Sequence, residues 1–428
     1  PLPPFLATGR PDGPSDWNPP TMLLTPAHPA DPRGLPRARR RSRLRALWLG
    51  TALGSCALAF GAAGPALAQD SETTELDAIV VTGSKRAETL DKIPGSVTVI
   101  TAESLAEQGV TDGASAMQEV PGAVMQGFGD RANAFATIRG VGPILMPLSP
   151  DDSSVLTFVD GAPLMLEQSA SSYLDLEQVE VLKGPQNTLF GRSTSGGAIN
   201  LVPATPSGAQ GGSVTAEAGS DGLYRVETVL ETPIVPGVLD ARLALRSSGI
   251  DGYAANATGE ELGAQQSEVG RLTLSYTPSE VTRVLFTFAA ENSEVTPVYY
   301  IAQFGDETPE VAAQDFAYDN SQSRQATLKV EHDFETFTFT SQTAWNSYEG
   351  DNLYQGDHLL FASAMGLPQS YFEDPASNFI GWTKDQTRLT QEFRLSSLPG
   401  STLNWVTGAT FYRDVNDSVG DSHVSVYG

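Results

Sequence analysis

The chain has 428 residues, 40% of them hydrophobic, with 51 Asp and Glu against 26 Lys and Arg and a formal net charge of −25. The ordinary apolar content excludes a helical membrane bundle, and the acidic balance argues against nucleic acid as a partner. A chain of this length can bury two or more cores, or form one small domain plus part of something larger.

The N-terminal stretch reads as an export signal. Arg37, Arg39, Arg40, Arg41, Arg43 and Arg45 form a basic run, Ala46 to Phe60 an apolar one, and Ala66-Leu67-Ala68 a cleavage pattern with Gln69 as the first mature residue. A membrane anchor is the alternative, but the apolar core is short and rich in Gly and Ala. Residues 1–21 lack a starting Met and are rich in Pro, which puts the start at Met22 or later. The single cysteine, Cys56, lies in the apolar run, where Leu53-Gly54-Ser55-Cys56 faintly resembles a lipoprotein site. With cleavage after Ala68 the mature chain has neither thiol nor disulfide chemistry. Residues 1–68 hold eight Arg against Asp12, Asp16 and Asp31, so their removal takes the net charge from −25 to −30; solvated loops account for that charge. No later run reaches 18 apolar residues, so any membrane crossing beyond the signal must use strands.

Residues 69–92 read as a flexible arm with one extended island, Asp77-Ala78-Ile79-Val80-Val81-Thr82. A β-branched run in a mobile arm suits docking by strand addition, although an ordinary first strand has the same composition. Residues 93–205 read as a compact domain. Val97 to Ile100 is a strand, followed by a helix over Ala102 to Gln108 with Thr101 as N-cap and Gly109 as its stop. A second helix spans Ala114 to Glu119 and ends at Pro121-Gly122. Val155 to Val159 and Val179 to Leu182 are strands bounded by Asp160-Gly161 and Gly184-Pro185.

From about Gly212 the period changes to two. Leu239, Ala241, Leu243 and Leu245 alternate with Asp240, Arg242, Ala244 and Arg246, and the pattern recurs at Leu272 to Tyr276, Ala326 to Val330, Leu389 to Leu395 and Leu403 to Phe411. Segments of about ten residues, with short turns such as Pro278-Ser279-Glu280 alternating with long polar loops at 293–323 and 348–386, predict an outer-membrane barrel. A soluble β-sandwich with one apolar face shows the same alternation. Tyr276, Trp345, Tyr348, Trp405 and Tyr412 near the segment ends favour interfacial girdles.

Several ordered motifs carry a family resemblance. Ile93-Pro94-Gly95-Ser96-Val97-Thr98-Val99-Ile100 is followed by Val120-Pro121-Gly122, Ile138-Arg139-Gly140-Val141-Gly142, and Phe158-Val159-Asp160-Gly161-Ala162-Pro163. The last block runs from Leu174 through Lys183-Gly184-Pro185-Gln186-Asn187 and Gly191-Arg192 to Ser195-Gly196-Gly197-Ala198-Ile199-Asn200. The stretch from about Glu75 to Asn200 closely resembles the plug domain of TonB-dependent outer-membrane receptors. The resemblance implies an α+β plug domain followed by an antiparallel transmembrane β-barrel, 22-stranded in the family. It divides the chain into a leader at 1–68 (signal at about 37–68), an arm at 69–92, a plug at 93–205 and the first part of the barrel at 206–428. It implies a TonB box at Asp77, Ala78, Ile79, Val80, Val81 and Thr82, and plug–barrel polar contacts at Arg139, Glu177, Glu180, Lys183 and Arg192. Surface ion pairs, worth about 0–1 kcal/mol each, are the plainer role for those charges.

The glycines Gly140, Gly142, Gly161, Gly184, Gly191, Gly196 and Gly197 suit close backbone approach and positive φ. Asn187 stands where many relatives have glycine, and Asn tolerates left-handed backbone. Only about nine or ten strands can be counted, and Ser425 to Gly428 lie at or just after a strand, so the sequence reads as part of a longer protein. The resemblance implies energy-coupled import of a scarce nutrient, most often a ferric siderophore, after export to the outer membrane of a Gram-negative bacterium. Its implied partners are TonB, outer-membrane lipid and a small ligand such as an iron chelate, without cofactor or resident metal. Cobalamin, haem, oligosaccharides and aromatic compounds remain open as cargo, as does a non-functional truncated remnant. A signalling receptor is disfavoured because only a short stretch separates the cleavage site from the box, and an unplugged porin because the plug is well formed.

An enzyme is not indicated. His332, His358 and His423 are scattered without ligand spacing, and the acidic pairs Asp151-Asp152 and Asp306-Glu307 fall in loop-like stretches. Ser193 to Gly197 resembles a phosphate nest but opens no clear helix. Trp382, Phe361, Tyr371, Tyr299 and Tyr300 lie in or beside long loops, where they contact cargo or pack the loops together.

Overall fold

The structure, a computed structural model, describes residues 80–424 apart from 84, 87, 91–92, 94, 127–134, 144–153, 169–172, 192, 254–261, 298–316 and 356–377. The export signal, Asp77 to Ile79, Arg192, His358, both acidic pairs, and Tyr299, Tyr300, Phe361 and Tyr371 therefore lie outside the described residues.

The arm forms a small antiparallel hairpin from β1 (Val80–Val81) and β2 (Glu88–Thr89). β3 (Ser96–Thr101) then runs into a helix, Ala102–Glu107, whose first turn is closed by the Thr101 side chain accepting from the Ser104 amide. A second helix, Gly113–Gln118, starts one residue earlier than its composition suggests. The reason is a capping box: Asp112 accepts from the Ser115 amide at 2.8 Å, and the Ser115 hydroxyl accepts from the Asp112 amide at 3.3 Å.

β4 (Ala123–Gln126) pairs with β5 (Phe135–Ile138). β6 (Val155–Val159), β7 (Ala162–Pro163), β8 (Leu176–Lys183) and β9 (Gly197–Pro203) join β3 in a five-stranded sheet of order β3-β8-β9-β6-β7. Only β6 and β9 pair in parallel. Asp160 and Gly161, at φ 47° and 78°, form the two-residue turn between β6 and β7. Positive φ at both positions is what a type I′ hairpin demands, and Asp-Gly supplies it at little cost.

One face of this sheet packs Val179, Val181, Ile199 and Leu201 against Ile100, Leu105, Met117 and Ile138. Each such side chain contributes roughly 1.5–3 kcal/mol on burial. Close strand approach depends on Gly197, where a Cβ would run into the Leu182 carbonyl. Asn187 does not adopt the left-handed backbone that would have excused the loss of a glycine. It opens a right-handed helical turn, Asn187–Phe190, and the positive φ falls on Gly191 at 85°.

Nine strands follow in one antiparallel meander, each paired with its sequence neighbours. They are β10 (Gly211–Ala218), β11 (Tyr224–Val235), β12 (Leu239–Ile250), β13 (Gln265–Ser279), β14 (Thr282–Val295), β15 (Ala317–Asp333), β16 (Phe337–Gln355), β17 (Asn378–Ser397) and β18 (Val406–Val424). Apart from β10 they run 12 to 20 residues, well beyond the ten expected. The excess is polar ladder: Ser293 pairs with Ser321, Gln322 with Glu349 and Tyr348 with Gln386, inside stretches that read as loops. Beyond the bilayer both faces of a strand can be polar, so hydropathy alternation fades while the backbone bonds continue.

One face of the meander presents Leu230, Leu245, Tyr276, Phe288, Leu328, Leu389, Phe393 and Phe411, all exposed. Phe339 and Phe393 stack across the β16–β17 ladder on that side. The other face carries the polar partners of the alternation and receives the plug. Tyr348 is buried, on the same parity of β16 as Asn346, whose amide reaches the plug. Tyr412 lines a cavity against the plug. These two are therefore not girdle residues. Among the described residues no helix is long and apolar enough to cross a membrane. Substituting Leu328→Arg in the membrane-inserted protein should destabilise it by about 2–4 kcal/mol, the range for a cation on a lipid-facing strand, whereas Leu328→Phe should change it little. Denaturant unfolding in lipid vesicles measures both.

Candidate functional site

The second face of the plug sheet carries polar side chains on β8 and β9: Gln178, Glu180 and Asn200, all buried, with Glu180 at 0% exposure. The arm lies over them. The Thr82 amide and hydroxyl donate to Glu180 Oε1 at 2.7 and 3.1 Å, and Gln178 Nε2 donates to the same oxygen and to the Val80 carbonyl. Asn200 Nδ2 donates to Glu180 Oε2 at 3.1 Å. A buried carboxylate is tolerated only when its oxygens are met by donors. Here the arm supplies two of the four.

Three residues further on, Lys85 is buried at φ 60°, an uncommon backbone for a residue with a Cβ. Its Nζ donates to the Gly161 carbonyl and to Glu392 on β17, each at 3.0 Å, and lies 4.9 Å from the centre of the Phe190 ring. Burial holds the ammonium below the usual lysine range, against the attraction of Glu392. Lys85 thus joins the arm, the β6–β7 turn and the wall. No sequence pattern marked it.

The plug–wall bonds converge on three plug segments. Asp175 takes both Arg242 Nε and Nη2 at 2.7 Å, a bidentate pair, while Arg242 Nη1 holds Glu231. Arg246 and Arg271 donate to the carbonyls of Tyr173 and Leu174. Apolar contacts of Leu174 with Val229, Ala244 and Val269 close that side. On β16 and β17, Asn346 reaches the Pro163 carbonyl, Arg388 the Leu164 carbonyl, and Lys384 and Gln386 the Glu167 carboxylate. Between these zones stands the β6–β7 turn, where Lys329 meets Asp160 at 3.2 Å and Gln342 donates to the Asp160 carbonyl.

The charges singled out from sequence have mixed surroundings, with Arg192 outside the described residues. Glu180 is bonded within the plug and to the arm. Lys183 donates to the Pro121 carbonyl, and desolvation together with the neighbouring Arg139 cation holds its ammonium below the usual range. Arg139 is exposed, with its amide on the Gly122 carbonyl at 2.6 Å. Glu177 is exposed and lines a cavity of about 260 Å³ between plug and wall. Gly140, Gly184 and Gly191 sit at positive φ in turns, while a Cβ at Gly142 or Gly196 would crowd Thr137 or Val141. The nest-like run Ser193 to Gly197 has no free amide at Gly196, which donates to the Ser154 carbonyl. Trp382 packs near Lys384, 5.5 Å from its Nζ.

A plug bound by side-chain bonds to the polar face of an antiparallel wall, with a lipid-compatible outer face, is the architecture of a plugged outer-membrane barrel. The family model for the TonB-dependent Receptor Plug Domain matches residues 89–198. The pesticin receptor of Yersinia pestis is 26% identical over 321 residues, 72% of this chain and 46% of that protein. The ferrioxamine B receptor of Salmonella typhimurium is 32% identical over 220 residues, 49% of this chain and 29% of that protein. In fold, the chain is similar to the ferric yersiniabactin uptake receptor of Yersinia pestis, with TM-score 0.66, 24% identity, and coverage of 77% of this chain and 50% of that one. A siderophore receptor of Acinetobacter baumannii gives TM-score 0.65 at 18% identity, covering 80% and 48%. Residues 89–198 carry the plug domain of TonB-dependent receptors, and the chain as a whole resembles such receptors in sequence and in fold. It spans about half the length of the curated relatives it matches.

Arg242 and Asp175 come from elements 67 residues apart and meet only in the folded receptor. A double-mutant cycle with Arg242→Ala and Asp175→Ala should give a coupling energy of about 1.5–3 kcal/mol, the range for charged hydrogen bonds. Denaturant unfolding of the receptor reads it.

Proposed function

We propose that the receptor containing this chain imports a ferric siderophore across the outer membrane, and that TonB engages the arm at Asp77 to Thr82. The observation that carries this reading is the seat of Thr82 on the buried Glu180. The end of the proposed box is bonded directly to the plug's sheet, so a pull on the arm acts at once on the element that fills the barrel. The second support is the polar character of the plug–wall ties. Hydrogen bonds and ion pairs can be exchanged for water as the plug shifts, whereas a dry apolar interface would resist.

The siderophore cargo follows the relatives, whose names specify ferric yersiniabactin, ferrioxamine B and catecholate siderophores. On this reading residues 1–68 are removed on export, and the protein acts as a transporter rather than an enzyme. TonB, outer-membrane lipid and an iron chelate are its partners. Arg139, Glu177 and Arg192 remain proposed plug–barrel contacts, engaged when the plug moves.

Deleting Asp77 to Thr82 in the full-length receptor tests the mechanism, with ferric yersiniabactin and ferrioxamine B as the first cargoes offered. Binding at the cell surface should persist while uptake falls to the level of non-energised cells. Undiminished uptake by the deleted receptor would falsify energy coupling through the arm.

A further inference from the structure

Three cavities follow one another along the inner face of β14. The lowest, about 530 Å³, opens beside the short turns at Glu280-Val281 and Pro399 and reaches Arg283. The second, about 260 Å³, continues past Leu285 and Thr287. The third, about 10 Å³, lies at Ala289 and Glu291, with Gln168 and Arg271 around it. Arg283, Leu285, Thr287, Ala289 and Glu291 are alternate residues, so one face of one strand lines the whole column.

The two lower cavities share Thr82, Asp160, Arg283, Lys329 and Glu331 in their linings. They abut at the Asp160–Lys329 pair, and Thr82 is a wall of both. The third holds no more than about one water, so the column is narrowest at Gln168 and Arg271. The column also falls between the two strongly tied zones. On one side are the Arg242–Asp175 pair and the Leu174 cluster, and on the other the bonds from β16 and β17 to Pro163, Leu164 and Glu167. Among the described residues, Lys329, Gln342 and Lys85 are what hold the β6–β7 turn across it.

We propose that this column along β14 is the exit lane for a polar chelate, and that withdrawal of Thr82 from Glu180 joins its two lower cavities into one passage. The inference rests on the importer reading and adds the route and its latch. The lining suits a hydrophilic cargo: Thr273, Thr287 and Thr327 offer hydroxyls, and Arg283, Lys329, Glu177 and Glu331 offer both signs of charge. The lowest cavity alone falls within the size of ordinary ligand pockets, about 300–1,000 Å³. On β14 itself the side chains at 287 and 289 are small, so the narrowing above them comes from Gln168 and Arg271.

The test uses thiol reactivity in the purified full-length receptor, in a cysteine-free background, with a water-soluble maleimide as the probe. Thr287→Cys reports the lane. Ala244→Cys, within the Leu174 cluster, reports the tied side. Deleting Asp77 to Thr82 should speed labelling at Thr287→Cys by about tenfold or more, because reaction follows the population of the open form, and leave Ala244→Cys protected. Glu180→Gln, which weakens the seat of Thr82 without emptying it, should give a smaller rise at Thr287→Cys alone. Unchanged labelling at Thr287→Cys, or an equal rise at both sites, would overturn the lane. Uptake by the same deletion mutant answers the separate question of energy coupling, so the two readings fail independently.

Discussion

The structure depends first on the cost of an unpaired peptide group in hydrocarbon, several kcal/mol each. Within the meander from β10 to β18 that cost is met wherever consecutive strands pair, leaving only the outer edges of β10 and β18 without a strand partner among the described residues. Once the backbone is committed to a ladder, side chains have only two places to go. Positions such as Leu328, Leu389 and Phe393 must suit lipid, and the alternate ones face inward. The inner face is therefore free to be polar, and the plug is held by side chains that the ladder places there for reasons unrelated to the plug.

This arrangement sets the character of the plug–wall interface. Arg242, Arg246, Lys329, Lys384 and Arg388 each meet an acid or a carbonyl of the plug. Such bonds add modest net stability, because each replaces bonds to water. They do fix register, because an arginine fork can donate to both oxygens of a carboxylate in few geometries. An interface of this kind specifies one resting position without a deep energy well. Glu180 follows the same logic at the arm. When Thr82 leaves, Gln178 and Asn200 still donate to its two oxygens. The carboxylate is never stripped of partners, which keeps the cost of release below that of an orphaned buried charge.

Much of the architecture was legible because it is local. The Asp160-Gly161 turn, the Thr101 cap and the alternation on β12 and β13 each depend on residues a few positions apart. The strand ends were not legible, because Ser321, Asn352 and Tyr348 pair through backbone atoms that hydropathy does not report. The plug–wall ties were hidden for a different reason. Asp160 and Lys329 are separated by 169 positions and Glu167 and Lys384 by 217, and each looks like an ordinary surface charge in its own segment. Glu180 did leave a signal: it shares a face with Gln178 and Leu182 and alternates with Val179 and Val181, in the middle of the strand. A charge in a strand buried on both faces needs donors around it, and here the sheet and the arm share them.

The ties are unevenly spread, and that unevenness bears on how a plug can move without leaving. Asp175 and Leu174 are fixed by arginines and by an apolar cluster together, so displacement there breaks two kinds of contact at once. The β6–β7 turn meets the wall and the arm through the polar bonds of Lys329, Gln342 and Lys85, beside two cavities. A close-packed interior transmits strain, whereas a void absorbs it. Force entering at Thr82 reaches β8 through Glu180, and the nearest compliant element is the turn bordering the cavities. On the proposed pull the anchored side would serve as the hinge, and the sheet order β3-β8-β9-β6-β7 sets β8, which follows that anchor, two places from β6 and its turn.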